Sequence, residues 1–326
     1  MKKLSILAIA LTLLVGCAKN ETVSVSDANM ISFSNAFVDN ATRADLSFDI
    51  HNLTEFSVWG HHYGTMILKN ITVTKQADLS WDYIASPAKP QWEEGEEYYF
   101  HAFAPKGAMN ITYPDTTVTG IPADIYYELD VDKRKQDLIY AIYTRTQGLT
   151  ALGETLDYSK VEFSFRHLLS RVKFTFTNKL TSGESIEILD VQITNVQKSA
   201  IAHLDDMDNT KWKWDGHSSE SIYNFGGTGV IPAVGSNEKS AADVLFVIPA
   251  PAKDYEVLFT IKYGSEISTK KATVVGLQFE MGYSYNFKAE INDDDVTKPN
   301  NEINFDVIDV TAWDTKVGSD VVLDFN

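Results

Sequence analysis

Cysteine is nearly absent. The 326-residue chain has one, Cys17, so no intrachain disulfide can form and stability must come from packed cores rather than covalent staples. Sustained helical periodicity is missing too, which argues against a helical architecture. Basic residues are scarce, 28 against 45 acids, and removal of an N-terminal segment carrying Lys2 and Lys3 takes the basic count to 26 and the formal charge from −17 to −19. So acidic a surface repels phosphate backbones and leaves nucleic acid out as a partner. Beyond the N-terminus no run reads as a membrane span.

Catalytic and metal signatures are also wanting. His51, His61, His62, His101, His167, His203 and His217 form no recognised zinc spacing, and His167, inside an alternating stretch, reads as a hydrogen-bonded structural residue. The acidic runs Asp205-Asp206-Met207-Asp208-Asn209 and Asp293-Asp294-Asp295 do not match a calcium-binding loop and read as solvated acids. Phe225-Gly226-Gly227-Thr228-Gly229 lacks the lysine and following helix of a phosphate loop and reads as a turn. Nothing puts an acidic pair such as Glu93 and Glu94 in a cleft for glycoside hydrolysis. No enzymatic activity, metal or cofactor is assigned.

What is present begins at the N-terminus. Met1-Lys2-Lys3 is a short basic region, and Leu4 to Val15 is an apolar run of signal-peptide length, too short to span a bilayer comfortably. Leu14-Val15-Gly16-Cys17 resembles the bacterial lipobox, in which small residues admit a dedicated peptidase and the thiol accepts a diacylglycerol. Residues 1–16 therefore read as a lipoprotein signal peptide with Cys17 as the lipid acceptor, the chain's single contact with a membrane.

Apolar residues make up 44% of the chain and aromatics 12%, enough for cores in about 300 residues and, at that length, two domains. Apolar residues recur with period two at Ile31-Ser32-Phe33, at Val161-Glu162-Phe163-Ser164-Phe165-Arg166-His167 and at Val172-Lys173-Phe174-Thr175-Phe176. Further strands are expected over 56–59, 67–74, 97–104, 186–196, 243–248, 256–263, 270–275, 283–291 and 303–310, where β-branched and aromatic residues dominate. Many short strands with frequent Gly and Pro turns predict an all-β protein of antiparallel sandwiches. The weakly patterned stretch around Gly148 and Gly153 sets the expected boundary between the two sandwiches at residue 157, the second running over 158–326.

The order of several landmarks resembles the fimbrillin family of Bacteroidota, the subunits of lipoprotein-derived surface pili. These are the lipobox at Cys17, the Ile31-Ser32-Phe33 strand, Ala41-Thr42-Arg43-Ala44, Trp92 through Pro105, Asp137-Leu138-Ile139-Tyr140-Ala141, Phe165 through Val172, Gly282 through Phe287, and Ile303 through Val307 with Trp313. The resemblance implies two transthyretin-like antiparallel β-sandwich domains in tandem, carried to the outer membrane and ending in a fimbrium at the cell surface. It also implies an arginine-specific protease that cuts between Arg43 and Ala44, separating a leader over 17–43 from a first sandwich over 44–157. The cut would expel the first strand, with Ile31, Phe33 and Phe37, and open a groove for a strand of the next subunit, in a homo- or heteropolymer. Val317, Val321, Leu323 and Phe325 form an apolar set in the tail suited to donation. A second reading keeps the protein anchored as a surface lipoprotein that binds a host or dietary glycan, with Trp212 and Trp214, on one face of a strand, stacking on sugar rings.

Overall fold

A computed structural model of the protein describes residues 29–34, 37–38, 53–62, 65–85, 88–107, 110–112, 124–128, 133–205, 208–216, 220–232, 240–298 and 307–312. Strands form where the period-two pattern places them. In 161–167 the burial alternates residue by residue, with Val161, Phe163, Phe165 and His167 inside and Glu162, Ser164 and Arg166 outside, as a pleated strand requires. The described chain is nearly all β, built from mainly antiparallel sheets with two parallel pairings.

A seven-stranded sheet runs in the order Phe37–Val38, Ser164–His167, Ile139–Thr146, Glu97–Ala104, Glu55–His62, Thr65–Lys75, Trp81–Tyr83. Its pairings are antiparallel except the first, where Phe37 lies beside Ser164 in parallel. Because successive side chains point to opposite faces, Phe56, Val58, Phe100 and Ala102 enter one core with Ile31, Phe33, Phe163 and Phe165. Trp59, Phe103 and Tyr140 enter the other. Gly60 is required beneath the Phe100 ring, since a Cβ there would sit 2.9 Å from ring carbons.

The larger core lies between two further sheets. One pairs Ser170–Asn178 with Tyr283–Ile291 in parallel and continues to Val307–Ala312. The other runs Glu220–Asn224, Ile186–Gln197, Ala250–Tyr263, Glu266–Phe279. Aromatic contacts bridge them, with Phe176 and Phe259 at 5.5 Å between ring centroids and Phe174 stacked on Phe287 of its own sheet at 4.9 Å. A fourth sheet, in the order Asp208–Gly216, Ser199–Asp205, Asp124–Glu128, Asn110–Thr112, lays Trp212 edge-on against Phe103 and Tyr140.

Residues 161–167 sit on the far side of the boundary expected at 157, yet they complete the first sheet. Ser164–His167 takes its hydrogen-bonding edge from Ile139–Thr146, and the chain passes from the first core to the second between Phe165 and Leu168.

Candidate functional site

Residues 29–34 thread the first core as a guest strand. Toward one neighbour, the Ile31 N–H donates to Pro90 O at 2.9 Å and Asn29 O accepts from the Trp92 N–H at 3.0 Å. Toward the other, the Ser34 N–H donates to Val161 O at 2.9 Å and Ser32 O accepts from the Val161 N–H at 2.8 Å. The strand is thus antiparallel to the chain at Gln91 and parallel to it at Val161. The Ile31 carbonyl accepts from the buried Tyr83 hydroxyl at 2.7 Å. Such a carbonyl would be costly to leave without a donor. The same burial raises the pKa of the Tyr83 phenol, so it stays a donor at any physiological pH.

The side chains use the alternation. Ile31 and Phe33 are both 0% exposed. Phe33 lies parallel to Phe163 at 5.7 Å between centroids and meets Phe56, Tyr83 and Phe100 edge-on at 6.4, 5.3 and 6.1 Å. Offset and edge-on pairs of this kind add to the energy of simple burial. The backbone of Phe37–Val38 pairs in parallel with Ser164 and Phe165.

The socket around the strand is braced by polar contacts. Arg145, largely buried, stacks its guanidinium 4.4 Å from the Trp92 ring and donates to the carbonyls of Asp157 and Ser159 at 3.0 and 2.8 Å. That ties the turn at residue 92 to the segment leading into Val161. His167 Nδ1 pairs with the Asp137 carboxylate, both fully buried, and the other Asp137 oxygen accepts from the Leu138 N–H at 2.8 Å. The Asp137 and Phe165-to-Val172 motifs, far apart in sequence, meet there. The structural role expected for His167 is the one it has.

Other expected residues fall elsewhere. Trp212 is 2% exposed, and the Trp214 indole N–H donates to Leu168 O at 2.8 Å with the ring packed against the larger core. Trp212 is thereby enclosed between the fourth sheet and the first, and Trp214 is partly buried beside it. Asp293, Asp294 and Asp295 are not a loop of solvated acids: they start the short helix Asp293–Thr297. Asp295 is buried and accepts from the Asn292 N–H at 2.7 Å, and Asp293 accepts from the Thr181 N–H and hydroxyl at 3.0 and 2.6 Å. Phe225 to Thr228 is not the expected turn: Glu220–Asn224 and Gly229–Ile231 both run antiparallel to Ile186–Gln197 along one edge, so these residues are a break within that edge, with Gly227 against the backbone carbonyls of Ile188 and Leu189. Cys17, Arg43, Ala44, Val317, Val321, Leu323 and Phe325 lie outside the described residues.

Two arrangements were hidden from sequence reading. Tyr83 reaches Ile31 across a long stretch of chain, with only its place in a short aromatic strand as a signal. His62, Glu93 and Glu96 converge at one end of the first sheet, with ligand atoms within 4.8 Å of one another. No spacing rule finds them, because strand pairing makes that contact.

A search of the curated proteins finds no match. Among solved structures the chain is similar to a fimbrial protein from Bacteroides vulgatus ATCC 8482, with a TM-score of 0.57 and 15% identity, over 87% of this chain and 99% of that one. It is also similar to a candidate cell adhesion protein from Bacteroides uniformis ATCC 8492, with a TM-score of 0.50 and 17% identity over 88% of this chain and 100% of that one. At these identities the likeness speaks to the fold. The fimbrillin-like profile matches residues 42–313, well over half of the sequence, and the chain belongs to the fimbrillin-like family.

Proposed function

We propose that the protein is a structural or adhesive subunit of surface fimbriae that polymerises by strand exchange after its leader is cut away. As a fimbrillin-like protein it is structural rather than enzymatic. The observation that carries the reading is the guest strand: Ile31 and Phe33 fill the first core, yet they precede Arg43, while the rest of that core resumes at Leu53. One cut between Arg43 and Ala44 would detach the guest and Phe37–Val38 from the host, while every other strand among the described residues lies downstream of the cut. The family match begins at residue 42, so the guest lies outside the part held in common.

The export route in this reading runs through lipid attachment at Cys17 and display at the outer membrane, where an arginine-specific protease acts. Expulsion of residues 29–34 would bare the backbone groups of Pro90, Trp92 and Val161 and the pockets of Ile31 and Phe33. An unpaired apolar edge invites another strand, and β-augmentation supplies one with both hydrogen bonds and side-chain anchors. Leu323-Asp324-Phe325 repeats the aliphatic, polar, phenylalanine order of Ile31-Ser32-Phe33, which supports the tail of a neighbouring subunit as the donor. N-terminal sequencing and denaturing electrophoresis of surface material test the reading. The expected result is a mature chain starting at Ala44 in polymers that resist dissociation, both lost in Arg43→Ala. A mature chain that keeps residues 17–43 yet polymerises would refute it.

A further inference from the structure

We propose that His62, Glu93 and Glu96 form a zinc site that ties the turn at residues 91–96 to the strand Glu55–His62 and so steadies the seat of the guest strand. The metal assignment comes from the donor atoms. His62 Nε2 lies 3.4 Å from Glu96 Oε2 and 3.8 Å from Glu93 Oε2. Atoms bound tetrahedrally to Zn2+ at about 2.0 to 2.2 Å stand about 3.3 to 3.6 Å apart. Small side-chain adjustments would bring all three onto one ion, with a water in the fourth position. One imidazole and two carboxylates suit Zn2+, whereas calcium and magnesium favour all-oxygen shells.

The surroundings point the same way. Glu96 Oε2 is buried and accepts no hydrogen bond among the described residues, a costly state for a carboxylate without a cation. Two carboxylates converging on one imidazole repel each other, and a divalent ion between them removes that repulsion. The ligands are held in place by their neighbours. His62 pairs in register with Tyr98 and stacks on its ring at 5.0 Å. Tyr98 Oη accepts from the Glu93 N–H at 2.7 Å, and its hydroxyl donates to Gln91 O at 3.2 Å. The Gln147 N–H donates to Glu96 O at 2.8 Å.

The link to the guest strand is short. Glu93 directly follows Trp92, whose N–H holds Asn29, and Pro90 O receives the Ile31 N–H. An ion joining Glu93 and Glu96 to His62 restrains that turn against the sheet. The proposal stands whether or not the strand is later exchanged.

The test uses the full chain, stripped of metal with EDTA and titrated with ZnCl2 by calorimetry, thermal melting and hydrogen exchange. The expected result is one Zn2+ per chain, a melting temperature raised by roughly 5 °C at saturation, and slower exchange at the Ile31 and Trp92 amides. Glu96→Gln, which keeps the side-chain shape, and His62→Ala should each weaken binding at least tenfold. His203→Ala, outside the site, should leave it unchanged. Unchanged binding in both Glu96→Gln and His62→Ala overturns the proposal, as does uptake only at millimolar zinc or an equal response to calcium. Saturable binding with no change at the Ile31 and Trp92 amides overturns the clamp.

Discussion

The two cores of this protein are of different provenance. The larger draws all of its buried residues from Trp59 onward, and most from strands that follow Leu168. The smaller depends on Ile31 and Phe33, which reach it from upstream of the Arg43 segment and are held mainly through backbone bonds to residues 90–92 and 161. A core completed by a strand on a separate stretch of chain can be emptied by one proteolytic event. A core drawn wholly from residues downstream of that event cannot. The proposed strand exchange needs this difference, with one half permanent and the other exchangeable.

The comparison can be broken most directly at Phe33. Phe33→Ala removes the ring that four aromatic neighbours surround and should cost about 3 to 5 kcal/mol. In denaturant unfolding followed by hydrogen exchange, the amides of Trp92 and Val161 should lose protection while those around Phe174 and Phe259 keep it. Equal loss across both cores would mean that the halves are not separable.

Acid should also distinguish the regions. His61 and His101 lie on neighbouring strands of the first sheet, His61 opposite Tyr99 and His101 opposite Trp59, and both are buried. Burial lowers the pKa of His61 to about 4 and that of His101 to about 3. Their ordinary value is about 6.5, so between there and about 4 the unfolded chain binds protons that the folded chain refuses. Stability therefore falls as pH falls through this window, by about 3 kcal/mol for one such residue, and is unaffected by these groups above it. Urea midpoints measured across the window should decline, and His101→Phe should flatten the decline. Midpoints that stay level would show that the pair is solvated.

The smallest effect should come from Tyr83→Phe. It deletes only the hydroxyl that serves Ile31 O and should cost about 1 to 2 kcal/mol, read as faster exchange at Ile31 and Ser34 with no change in the larger core. A uniform drop in protection would assign Tyr83 to general packing instead.

Much of this was legible in the order of residues. Strict alternation in 161–167 and 172–177 announced strands because a pleated chain buries every second side chain, and Ile31-Ser32-Phe33 announced an apolar strand before Arg43. The Asp208–Gly216 strand was harder to read, because Trp212 and Trp214 alternate with lysines just as sugar-stacking residues would. Only the packing of the fourth sheet on Phe103 and Tyr140 shows that they cover a core.

By itself, the sequence determined the β character of the chain, the absence of disulfides, and the strands whose apolar side chains repeat every second residue, because these depend on local periodicity and composition. The tertiary structure alone decided that 161–167 belongs to the first sheet, that Phe33 sits in a ring of aromatics, that Tyr83 serves Ile31, and that His62 meets Glu93 and Glu96. Those are contacts between distant segments, set by strand pairing and register, which no local pattern encodes.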